Sequence, residues 1–510
     1  MERSVDRRTH FPSMLALLLM LAFVLPPAMT GCASRGTKLS GDALTDFQNP
    51  ELRVPQRIAA MRAAWEDENT DRQTIRGPLK ELVWSDQTPA ELRLAATDLL
   101  MSDDSWSGLR DSQNLIRSRV PTEKDYEVIR RMGRQAVARG WQNLTPAFVR
   151  SYAIEDVNIA DSQRVERVVL EALNPDQSME LISTKVFLNP QQGMLGTIDL
   201  DARAREAAWD LLARIDPSGE ARRAVLQRQD LPTDERGARV LAMIRRGLAE
   251  LGVVPRNGEE LRWLMALADG DPQWWSQTAD AVSGLSDEQA AGMKLRNLEA
   301  VRWASIYRQP WMRDTRVQLE GRLRSRVGDR ETTPRRADRR ALRDIPSTLE
   351  ESSDTLTWGD LMGMLAVDVA LHDPEVMRRV FEQVEMDRED ETTEYGGLLF
   401  VDSSGRFVAQ LYPPRPQHRK GDDQFVASSD MVEQSTRALA MYHFHVMRER
   451  NSRFAGPSVE DFAQARAQGR LGVVITSINE DELNIDAYVD TPASVDLGVL
   501  PRVRALVGED

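Results

Sequence analysis

The stretch MYHFHVMRERNSRFAGPSVEDF, residues 441–462, decides how the C-terminal part of this chain is read. The chain has 510 residues and five histidines, and two of the five stand here one residue apart, at His443 and His445. The apolar alternation of YHFHV predicts a β-strand. Its period of two sends both histidines to one face and turns Phe444 to the other, toward a core. Two imidazoles on one face suit a tetrahedral metal such as zinc. A third ligand has to come from another element, and Asp461 lies on the helix predicted by SVEDFAQARAQ at 458–468. The same residues have a plainer reading. Ser-x-x-Asp before an apolar stretch is a variant capping box, with Ser458 capping the helix and Asp461 bonding back. The two histidines are then only a polar strand face.

Working outward, the surroundings are mixed α/β. Helices are predicted from Trp358 to Leu371 and from Pro374 to Glu385. GGLLFVD (396–402) and RFVAQLY (406–412) read as a hairpin about Ser403-Ser404-Gly405. A polar loop at 413–423 leads to a short predicted strand, QFVA, and a helix is then expected from Ser428 or Ser429 to about Ala440. LGVVITS and LNIDAYV are two further strands. Residues 346–492 make a unit large enough to bury its own core, and 493–510 read as a C-terminal tail.

His-x-His, Ser-x-x-Asp and, upstream, Glu394-Tyr395-Gly396-Gly397 together resemble the JAMM/MPN (JAB) metalloprotease family. The order of predicted elements over roughly 350–490 agrees with it. The resemblance implies that His443, His445 and Asp461 hold Zn2+ with an open fourth position for water, whose pKa zinc lowers. It implies that Glu394 is the general base and that Ser458 donates to the oxyanion. Gly396 and Gly397 are then expected to keep side chains away from the backbone near that water. Two features depart from the family pattern. Val446 stands where a proline is usual, and the twelve residues 446–457 exceed the family's interval before the serine. This loop carries Arg448, Arg450 and Arg453. It is either a solvated insertion or a basic segment that meets a negatively charged substrate or partner, or gates the site.

From 48 to 327 apolar residues recur at helical spacing, with Arg and Glu on the other faces. ELRVPQRIAAM at 51, ELRLAATDLLM at 91 and DARAREAAWDLL at 201 resemble one another, which fits an all-α region of degenerate helix-pair repeats of the HEAT kind, the alternative being an unrelated irregular helical domain. Ten of the eleven tryptophans fall here and read mainly as large core pieces. No histidine lies between 33 and 371, so no catalytic constellation is expected in this part. Residues 328–345 (GDRETTPRRADRRALRDI) read as a charged linker.

At the N-terminus, Arg3, Arg7 and Arg8 precede twelve apolar residues, Met14 to Leu25, too few for a membrane span. Met29-Thr30-Gly31-Cys32 resembles the bacterial lipobox. That implies a signal peptide over 1–31, lipidation of Cys32 and a tether over 32–47. Cys32 is the only cysteine, so no intrachain disulfide can form. By resemblance to envelope lipoproteins, Ala33 after the cysteine favours the outer membrane where the cell has one. A net charge of −14 gives no electrostatic reason to bind nucleic acid.

The expected protein is therefore a multidomain, membrane-anchored, exported zinc metallopeptidase acting on peptide or isopeptide bonds. Its substrate is a peptide or protein of the envelope, and its helical region recruits substrate or a protein partner. The competing expectation is a non-catalytic envelope scaffold whose MPN-like module is an inactive docking unit. Inactive members lose the His or the Asp, and both are retained here.

Overall fold

The computed structural model describes residues 38–156, 159–334, 345–421, 424–491 and 493–502. The signal peptide, Cys32 and residues 335–344 of the expected linker lie outside the described residues. Among the described residues no helix is long and apolar enough to cross a membrane.

The chain is helical from Ala43–Gln48 to Arg316–Val327. Most helices start where the sequence supplies an acceptor for the first-turn N–H groups. Asp71 accepts from Gln73 N–H, Ser105 from Gly108 N–H and Asn257 from Glu260 N–H. The three similar segments form the helices Val54–Glu66, Ala90–Met101 and Leu200–Ile215. One ribbon interrupts the helices: β1 (Met194–Leu195) pairs antiparallel with β2 (Ile198–Asp199). Most of the tryptophans serve the core. Trp209 is fully buried and donates to Pro255 O at 2.9 Å, and Trp274 donates to Glu299 Oε2 at 2.6 Å. Trp84 and Trp106 are exposed, each beneath an arginine, Arg119 and Arg110.

The C-terminal unit is a six-stranded mixed sheet formed by β3 (Gly396–Val401), β4 (Phe407–Leu411), β5 (Ala440–His445), β6 (Gly472–Asn479), β7 (Glu482–Val489) and β8 (Ala493–Pro501). Their order is β4-β3-β5-β6-β7-β8, and every pairing is antiparallel except β5 with β6. Parallel neighbours need a crossover, and the helix Val459–Gln468 supplies it. One sheet face buries Tyr442, Phe444, Val473 and Ile475 against the helices Trp358–Leu371 and Pro374–Arg388. The same core takes in Val301, Trp303, Leu319 and Leu323 from the last helices of the helical region. Trp303 packs on Phe407 at 5.0 Å, so apolar packing is continuous from helical region to sheet.

Three sequence expectations change. QFVA is not a strand: both edges of β3 are taken by β4 and β5, and Phe425 turns onto the sheet face instead. The helix expected to reach Ala440 spans only Ser429–Gln434, because Ala440 already begins β5. The expected tail is in large part strand β8, with Val495, Leu497 and Leu500 buried. Gly498, at φ +89°, and a register shift against β7 hide its alternation. The described start of the charged linker lies along this edge. Glu331 O accepts from Val499 N–H at 2.8 Å, and Asp496 accepts from Thr333 N–H at 2.9 Å. That cover blunts an otherwise open strand edge.

A buried ion cluster also joins the two regions. Lys294 Nζ bonds Asp360 Oδ1 at 2.9 Å and Asp490 Oδ1 at 2.6 Å, and Arg256 also reaches Asp490. Lys294→Ala leaves two buried carboxylates short of their cation. It is expected to cost about 3–5 kcal/mol, read from the shift of the urea unfolding transition; a loss under about 1 kcal/mol contradicts this role.

Candidate metal centre

The site is assembled at one end of the sheet. Glu394 stands just before β3, and register places Gly396 of β3 opposite His443 of β5. Phe444 points into the large core, so His443 and His445 share the other face, with ring centroids 5.0 Å apart. Glu394, His443 and His445 each offer a ligand atom, and these atoms lie within 4.8 Å of one another. The crossover helix packs Phe462 and Ala465 on Val474 and Tyr488, on the histidine face. Asp461 is thereby held with Oδ1 3.4 Å from His443 Nε2.

Ser458 caps this helix. Its Oγ accepts from Asp461 N–H at 3.1 Å, and Asp461 Oδ2 accepts from Ser458 N–H at 2.7 Å. The capping box is therefore present, and it does not compete with the site. Asp461 uses Oδ2 for the cap and presents Oδ1 to His443.

The loop 446–457 takes part in the site. Phe454 O lies 2.7 Å from His445 Nδ1. A carbonyl only accepts, so Nδ1 carries the proton and Nε2 keeps its lone pair. Such carbonyl partners are what orient metal-binding imidazoles. On the other side, Phe425 stacks on His443 at 5.4 Å with the rings 7° from parallel.

Burial and charge set the protonation of the group. Burial pushes His445 down, and the neighbouring His443 adds to this, to about 4, so His445 is neutral at physiological pH. Burial also works against a charged His443, but the Asp461 carboxylate, with Glu394 and Asp387, holds it above the usual histidine range. For Asp461 burial acts upward, and the two imidazoles and the Ser458 N–H outweigh it, holding the carboxyl well below its usual range.

Of the residues singled out by sequence, Glu394, His443 and His445 form the tight group. Asp461 joins it through His443, and Ser458 stands one helical turn away as the cap. Cys32 lies outside the described residues. Sequence reasoning missed Phe425, Asp387 and Phe454 O. Asp387 is buried and accepts from Tyr395 N–H at 2.7 Å, next to Glu394. No spacing rule marks a backbone carbonyl; the length of the loop was the only trace of it. The glycine pair also has a different cause from the one expected. A Cβ on Gly396 collides with the Phe425 ring and lies 2.6 Å from Tyr442 O, and one on Gly397 meets Gln410 O and the Tyr442 ring. These glycines let an aromatic side chain and the neighbouring strands close down on the sheet beside the histidines. His372 caps the C-terminus of its helix, with Nδ1 2.6 Å from Asp368 O, and takes no part in the site.

No family model matches this chain, and neither the curated proteins nor the solved structures contain a significant match.

Gly396→Ala is expected to displace Phe425 from His443 and to destabilise the fold by about 1–3 kcal/mol. Thermal denaturation measures the loss, and a melting curve unchanged from the wild type contradicts this account of the glycine.

Proposed function

We propose that this protein is an exported, lipid-anchored zinc metallopeptidase of JAMM type that hydrolyses a peptide or isopeptide bond in the cell envelope. One observation carries the reading: Glu394, His443 and His445 converge within 4.8 Å, with Asp461 against His443 Nε2. The donor set fits zinc. It combines two imidazoles with carboxylates, and the anchored Nδ1 of His445 leaves Nε2 as its ligand atom.

On this reading His443, His445 and Asp461 hold the metal, which supplies Lewis acidity toward the scissile carbonyl and acidifies water. Glu394 takes the proton of the attacking water and delivers it to the leaving amine. Ser458 accepts the Asp461 N–H through a lone pair and keeps its own hydroxyl proton, which it donates to the developing oxyanion. Phe425 and the buried strand ends keep bulk water from the far side of His443, which strengthens each of these electrostatic contacts. The sheet unit is read as MPN-like and the helical region as HEAT-like, positioning the site and recruiting substrate or a partner. Arg448, Arg450 and Arg453 are exposed on the loop next to His445 and form no ion pair among the described residues, which favours an acidic peptide as substrate.

Separate variants test the roles. Glu394→Gln is expected to keep its zinc and lose about 10²–10⁴-fold in kcat, measured on a library of acidic peptides. Asp461→Asn is expected to lose zinc as well. Wild-type turnover by both variants overturns the peptidase reading. Zinc lost from the first and kept by the second exchanges their roles.

A further inference from the structure

Residues 446–457 connect the two elements of the site, leaving from His445 and arriving at Ser458. These twelve residues divide between exposed and buried positions. The outer positions Arg448, Arg450, Ser452, Arg453 and Phe454 are exposed, while Asn451, Ala455, Gly456 and Pro457 are buried. Asn451 is the pivot, at 2% exposure between the exposed residues 448–450 and 452–454.

Each polar group of Asn451 that the loop needs is engaged. Its backbone N–H donates to Ser477 O on β6 at 2.8 Å. Its side-chain Nδ2 donates to His445 O at 2.9 Å. Its backbone O accepts from Phe454 N–H at 2.8 Å. Phe454 O in turn faces His445 Nδ1 at 2.7 Å. The path closes on itself: His445 O to Asn451, Asn451 O to Phe454, and Phe454 O back to the His445 ring. Ser477 Oγ, which also donates to Glu449 O at 2.8 Å, ties the first half of the loop to the same strand. An exposed turn of ordinary polar residues does not hold a carbonyl in one place. This one does, because a buried amide locks it to the strand that carries the ligand.

We propose that Asn451 is a positioning residue for the metal centre, fixing the tautomer and ring orientation of His445 by holding Phe454 O on Nδ1. The inference rests on the metal reading above for its purpose, although the tautomer can be observed with no metal present. The twelve-residue loop thereby acts as the outer support of a ligand. Its arginines lie outside the closed path, and Asn451 lies within it. Loss of the Asn451 amide frees Phe454 O, lets the ring turn, and allows the proton to occupy Nε2, where a metal must bind.

The test uses the full chain with its five histidines labelled with ¹⁵N. Long-range ¹H–¹⁵N spectra of the metal-free protein report which ring nitrogen of His445 is protonated, assigned by loss of its signals in His445→Gln. The wild type is expected to show a single Nδ1–H tautomer. Asn451→Ala is expected to show a mixture with Nε2–H, and a zinc affinity about 10–100-fold lower in competition with a chromophoric chelator. Ser452→Ala, on the exposed side of the same loop, is expected to match the wild type in both. If Asn451→Ala does not fold, Asn451→Leu keeps about the same size and the backbone bonds and removes the side-chain donor to His445 O without adding charge. Far-UV circular dichroism shows whether each variant retains its fold. An Nε2–H tautomer in the wild type overturns the proposal, as does an Asn451 variant that is folded and unchanged in tautomer and affinity. Zinc that fails to bind the wild type, in a protein whose Nδ1–H tautomer responds to Asn451, overturns the metal reading and leaves the positioning role standing.

Discussion

The parallel pairing of β5 with β6 is the constraint on which the site depends. Two parallel neighbours cannot be joined by a hairpin, so the chain leaves the end of β5, crosses one face of the sheet and re-enters at the start of β6. The crossover helix has to bury an apolar side on that face, and it does so with Phe462 and Ala465. The residue before Phe462 is Asp461, which is thereby set against His443. The alternation of β5 supplies the rest. Phe444 has to enter the main core, so the residues on either side of it cannot. The histidine pair and its carboxylate follow from packing demands that concern other residues.

The same packing controls charge. His443 lies buried between a stacked phenylalanine and an acidic group, and His445 lies half-buried beside another imidazole. One histidine is held above its usual range and the other below, because their surroundings differ although they are two residues apart on one strand face. A cation placed among Glu394, His443, His445 and Asp461 meets an Asp461 carboxyl held well below its usual range and one imidazole already neutral. Gly396 serves this arrangement by making room for Phe425. The buried ions at Lys294, Asp360 and Asp490 play a comparable part where the helical region meets the sheet, since each loses its partner if the two regions separate.

Much of this was legible in the sequence. The strand period of YHFHV at 442–446, the hairpin about Gly405 and the capping box at Ser458 are local signals, and the structure forms each of them, the strand spanning Ala440–His445. They brought His443 and His445 to one face and Asp461 to the next helix. What was not legible is what depends on distant contacts. Phe425 looks like part of a strand until the edges of β3 are seen to be filled. Strand β8 looks like a tail because Gly498 breaks its alternation, and only pairing with β7 shows it to be a strand. The loop 446–457 reads either as a solvated insertion or as a basic segment that meets substrate or gates the site, and its arginines are exposed. Its contribution is a carbonyl and a buried asparagine, which carry no motif. Residues 1–37, including Cys32, lie outside what the structure describes, so the anchor stands on sequence alone.

The central claim is that the converging residues form a metal centre, and metal content tests it most directly. Elemental mass spectrometry on the chain from Ala33 onward should find near-stoichiometric zinc, and the double variant His443→Ala, His445→Ala should have none. A folded protein that carries no metal in either form after reconstitution with zinc contradicts the account.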